Sequence, residues 1–170
     1  MTYTPLFSRA VAQLLLDEGG LVEDPADPGG LTNHGFALNR NLDLTADELR
    51  AMTQEQATQR YWKRWWQPYR WEDLPIPIAL KAFNLAVPDG APAAIRALQR
   101  ACWAAGRKVT EDGVLGSETV GAAGSNTLSV LAALKSELAA HFRLVAAARP
   151  ASSKFLAGWL ERAYREVPRE

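Results

Sequence analysis

Two carboxylates stand close together early in the chain. Glu18 lies in Glu18-Gly19-Gly20, and nine residues on Asp27 lies inside Asp24-Pro25-Ala26-Asp27-Pro28-Gly29-Gly30, with Thr32 just beyond. Hydrolysis of a sugar–sugar bond requires such a pair, one carboxyl protonated to assist the departing oxygen and one ionised to activate water or to attack. Thr32 either holds the attacking water together with Asp27 or is simply a β-branched strand residue. Asp24 competes with Asp27 for the second role, and either can be a turn former bonding its own backbone. His34 reads equally as a structural histidine or a sugar contact.

The elements around these residues follow from spacing. Phe7, Val11, Leu14 and Leu15 recur at helical intervals and lead into Glu18, where the two glycines end the helix. A carboxyl on the last turn meets the negative end of the helix dipole, which disfavours its ionisation and suits a general acid. The dipole alone is modest, so burial must add to it. The prolines and glycines of residues 24–30 are turn chemistry, and Leu21-Val22 and Leu31 to Phe36 pair as a short hairpin that folds Asp27 back toward Glu18. Strand signal is confined to about 20–37. Thr45-Ala46-Asp47-Glu48 and Thr53-Gln54-Glu55-Gln56 are capping boxes that predict helices near 46–51 and 54–66. Further helices are expected near 76–87, 92–105 (opened by Pro92 and closed by Gly106), 117–123, 127–148 and 152–165. The fold class is α+β, mostly helical.

Tyr61 to Trp71 packs six of the fifteen aromatics into eleven residues, interleaved with Lys63, Arg64 and Arg70. Such a run can stack on sugars or on bases. Tyr61, Trp62, Trp65 and Trp66 also fall on one helical stripe, the pattern of a packed core. Trp66 and Tyr69, near the helix end, are the members expected to line a cleft. Nucleic acid is disfavoured because the chain carries no net charge. The charge is uneven, however: residues 1–60 hold four Lys/Arg against nine Asp/Glu, and residues 61–110 hold eight against three. That split reads as attraction across a cleft whose basic side faces an anionic ligand, or as two solvated surfaces. Cys102, the only cysteine, excludes an internal disulfide, and its Ala- and Leu-rich surroundings point to packing. No ligand cluster suggests a metal, and the chemistry needs no cofactor.

These motifs resemble the lysozyme superfamily, in which a helix ends in a catalytic glutamate and a small β-hairpin carries an aspartate and a threonine. More narrowly, Glu-Gly-Gly, Asp-Pro-x-Asp-Pro-Gly-Gly-x-Thr and Gly35 are similar to the glycosyl hydrolase 108 family of N-acetylmuramidases. Phe83-Asn84-Leu85-Ala86-Val87, Leu98-Gln99-Arg100-Ala101, Asp112-Gly113-Val114-Leu115-Gly116-Ser117-Glu118-Thr119 and Phe155 to Leu160 are similar to that family's second half, a predicted peptidoglycan-binding region. The family's usual aspartate is Asn84 here, and its Asn-x-Gly reads Pro88-Asp89-Gly90. The resemblance implies a lysozyme-like domain over 1–170, with a catalytic region at 1–87 and a peptidoglycan-binding helical region at 88–167 packed on it. It implies cleavage of the β-1,4 bond between N-acetylmuramic acid and N-acetylglucosamine. Glu18 is then the general acid, Asp27 and Thr32 are its partners, and His34, Trp66, Tyr69 and Asn84 are candidate substrate contacts.

The start of the chain lacks a basic stretch followed by an apolar core, so no secretory signal is read. No run has the length of a membrane span. The expectation is a monomer made in the cytoplasm that reaches the wall after release, in the manner of a holin-dependent phage or prophage endolysin. Two alternatives stay open: a non-catalytic peptidoglycan-binding module on the same fold, and a lytic transglycosylase that uses one glutamate and forms an anhydro sugar.

Overall fold

The computed structural model describes residues 2–17, 20–23 and 30–168. Helix α1 (Pro5–Asp17) opens on a proline, whose missing N–H costs nothing at a helix start, and buries Phe7, Ala10, Val11 and Leu14. The Phe7 ring stands edge-on to Trp62 at 4.9 Å and tilts against Tyr3 at 5.1 Å. The helix expected to lead into Glu18 is thus present. Glu18, Asp24 and Asp27 themselves lie outside the described residues.

Strands β1 (Val22–Glu23), β2 (Leu31–Asn33) and β3 (Phe36–Ala37) form an antiparallel sheet in that order. Val22 opposes Thr32 and Glu23 opposes Leu31, which is the expected hairpin. The sheet goes one strand further, because β2 turns directly into β3 through His34 and Gly35. Both turn residues have positive φ, 47° and 81°, the requirement of a two-residue type I′ connection. A left-handed backbone suits Gly35, and histidine is among the few other residues that tolerate it.

Both capping boxes form. Glu48 N–H donates to Thr45 Oγ1 at the start of α2 (Ala46–Arg50), and Gln56 N–H donates to Thr53 Oγ1 at the start of α3 (Gln54–Tyr61). Beyond Tyr61 the chain does not continue as the expected α-helix to 66 but widens into a π-helical turn, Trp62–Trp66. That turn bonds i to i+5 and takes up an extra residue, so the four-residue aromatic stripe is not maintained through it.

The chain divides into two compact units, Met1–Arg64 and Trp65–Glu170. The second is helical: α4 (Ile76–Asp89), α5 (Ala91–Ala104), α6 (Ser117–Ser125), α7 (Thr127–Ala148) and α8 (Leu156–Tyr164). Their bounds fall close to the expected ones. The exception is the last, where Pro150 fixes φ; Pro150–Phe155 is a 3-10 segment and α8 starts after it. α4 is the central element, buried at each position from Pro77 to Ala86 and apolar there except at Lys81 and Asn84, with α5 and α7 packed on it and α8 on α7. Cys102 lies in this core, and burial pushes its thiol up to about 11. No helix among the described residues is long and apolar enough to cross a membrane.

Candidate functional site

Thr32 sits at the centre of the small sheet. Side chains alternate across a strand, so Leu31 and Asn33 point to the buried face and Thr32 to the other. Its cross-strand neighbours are Val22, half exposed, and Ala37. Among the described residues its hydroxyl has no hydrogen-bond partner. The connection that contains Asp24 and Asp27 joins the paired residues Glu23 and Leu31.

Residues the sequence reading missed hold this sheet in place. Asn33, 4% exposed, donates through Nδ2 to the carbonyls of Leu49 at 2.9 Å and Met52 at 3.2 Å. One buried amide here donates to two carbonyls at the end of the short α2, that of Leu49 in its last turn and that of Met52 just past it. Tyr61 packs against Phe36 at 4.8 Å and donates its hydroxyl to the His34 carbonyl at 2.8 Å, fastening the type I′ turn. His34 thus has a structural place as a turn residue. Glu23 is bridged by both Nε and Nη2 of Arg50, at 3.3 and 2.5 Å. Hydrogen bonding to that guanidinium holds the Glu23 carboxyl below its ordinary value.

The aromatic run divides between the two units. Tyr61 and Trp62 pack in the first, whereas Trp66 and Trp71 are buried in the second. Trp66 is 1% exposed, stands edge-on to Phe83 at 4.9 Å and donates its indole N–H to Glu72 at 2.9 Å. A ring so enclosed offers no face for stacking on a sugar, so the cleft-lining reading does not suit Trp66. Tyr69 is partly exposed, as are Trp62 and Trp65, and its ring tilts against Trp71 at 5.6 Å. Asn84 is buried in α4, where its Oδ1 accepts from Arg162 Nε at 2.5 Å. That is a structural bond inside the second unit.

The motifs of the second half meet physically. Gln99 of α5, 1% exposed, donates through Nε2 to Asp112 Oδ1 at 2.8 Å and to the Val114 carbonyl at 3.2 Å. In return its Oε1 accepts from the Gly113 N–H at 3.0 Å. Gly113 has φ 78°, and a Cβ there would come within 3.1 Å of the Pro92 carbonyl, so the turn closes only on glycine. The Leu-Gln-Arg-Ala helix and the Asp-Gly-Val turn are therefore two halves of one hydrogen-bonded lock. No group of three or more His, Cys, Asp or Glu among the described residues is arranged to hold a metal.

Comparison with known proteins divides the chain later than the two compact units do. Residues 11–90 match the family model described as Glycosyl hydrolase 108, and residues 93–164 match the one described as Predicted Peptidoglycan domain. The solved structure of Brucella abortus SagA is similar to the chain with a TM-score of 0.76 and 28% identity, over 92% of this chain and 88% of that one. No curated protein matches. The α+β fold is lysozyme-like. Residues 11–90 are thus similar to glycosyl hydrolase 108 and residues 93–164 to a peptidoglycan domain, which together support a hydrolase that acts on peptidoglycan.

Proposed function

We propose that the chain is a muramidase, cleaving the β-1,4 bond from N-acetylmuramic acid to N-acetylglucosamine. Glu18 protonates the glycosidic oxygen. Asp27, with the Thr32 hydroxyl, activates water on the opposite sugar face or stabilises the oxocarbenium-like transition state. The observation that carries the reading is the order α1, β1, β2: a helix described to Asp17, then two paired strands whose connection contains Asp27 and whose second strand presents Thr32 on its open face. This is the helix-and-sheet setting that a general acid and its opposing carboxylate need. The carboxyl separation decides the outcome, about 5–5.5 Å for direct attack and about 6.5–9.5 Å when a water intervenes.

Product analysis on purified sacculi tests the proposal. The wild type should release muropeptides with a reducing N-acetylmuramic acid end, and Glu18→Gln should lower the rate by about 10²-fold or more. Asp27→Asn, run beside it, assigns the second carboxylate against Asp24→Asn. Anhydro ends would make the enzyme a lytic transglycosylase. Sacculi that pellet with the protein but yield no products from several wall types would make it a binding module.

A further inference from the structure

A groove of about 530 Å³ opens in the first unit between the segment after β3 and the outer face of α3. Its floor is apolar and buried, made by Phe36, Leu44 and Met52. Its rim is polar, and most of the charges on it are already engaged. Asp43 is paired with Arg60 at 2.7 Å, and the Glu48 carboxylate accepts from the backbone and hydroxyl of Thr45, both at 2.8 Å. Arg64 donates to Asn41 at 2.9 Å. Lys63 and Gln59 also line the groove, and neither side chain has a hydrogen-bond or ion-pair partner among the described residues. What the groove still offers a ligand is the Lys63 ammonium, side-chain amides including that of Gln59, and an apolar floor. This volume is in the range of small-ligand sites.

We infer that this groove binds the free-carboxylate peptide stem of peptidoglycan, with Lys63 receiving a stem carboxylate, Gln59 a peptide group and the floor the small alanine side chains. The inference rests on the peptidoglycan-acting reading and gives that substrate a second point of attachment, on its peptide rather than its glycan. Asp43 is paired with Arg60, and the rim carries three cations, Arg60, Lys63 and Arg64, against the two carboxylates Asp43 and Glu48, a balance that favours an acidic ligand.

Calorimetric titration of the full chain with a synthetic, glycan-free stem peptide tests it. The free-acid peptide should bind, and Lys63→Glu should weaken it by at least about tenfold. Lys63 is exposed, so an unchanged melting temperature and circular dichroism spectrum should accompany that loss. Gln59→Ala should weaken binding less. Absence of binding by the wild type, equal affinity in Lys63→Glu, or equal binding of a fully amidated peptide or a neutral chitooligosaccharide would each overturn the inference. No glycosidic bond is present in the assay, so its outcome is independent of whether Glu18 cleaves sacculi.

Discussion

His34 holds a backbone angle that most side chains avoid, and its carbonyl is the acceptor for the Tyr61 hydroxyl. His34→Gly should keep the turn and change stability by less than about 1 kcal/mol, because glycine adopts positive φ freely. His34→Val places a β-branched residue in the left-handed region and should cost about 1–2 kcal/mol in urea unfolding. If the imidazole also touches sugar, His34→Gly raises KM on wall substrate while the unfolding midpoint stays put. At this scale the types and spacing of Glu18, Asp27 and Thr32 were legible, and their separation in space was not. A distance is fixed by chain segments packing around it, and the eight residues between Glu18 and Asp27, two glycines and a proline among them, admit many.

At the scale of elements, the helices were legible because their signals are local. The Thr45–Glu48 and Thr53–Gln56 boxes each act over three residues, and both close as read. The third strand was not legible, since β3 has only two residues and its turn carries histidine where Asn or Asp is the usual sign. Nor was the Asn33 clamp, whose two acceptors lie 16 and 19 residues away. Asn33→Ala removes a buried donor from two carbonyls and should cost about 1–3 kcal/mol by urea denaturation. Asn33→Asp should cost at least as much at neutral pH, because a carboxylate cannot donate to either one. The Gln99 lock has the same character: the two motifs it joins were each visible, and their contact was not.

For the molecule as a whole, acid should be the destabilising direction. Glu23 beside Arg50, Asp43 beside Arg60, Glu48 at the Thr45 cap and Asp112 accepting the Val114 N–H all have carboxyls held below their ordinary values. Each lowered group contributes stability that is fully present above its unfolded pKa, near 4, and is lost as pH falls through the folded value. The melting temperature should therefore be level from neutral pH down to about 5 and drop below about 4. Asp112→Asn keeps the turn acceptor without titrating and should flatten part of that drop. A different consequence follows from the far end of the second unit. Lys81, 2% exposed in the central helix, donates to the carbonyl of Arg162 at 2.8 Å, and Arg162 in turn holds Asn84. A ribosome that has just made Lys81 has 81 residues still to add before this acceptor exists. The middle of the chain is thus made long before the helix that completes its surroundings, and the second unit reaches its final packing only late in synthesis.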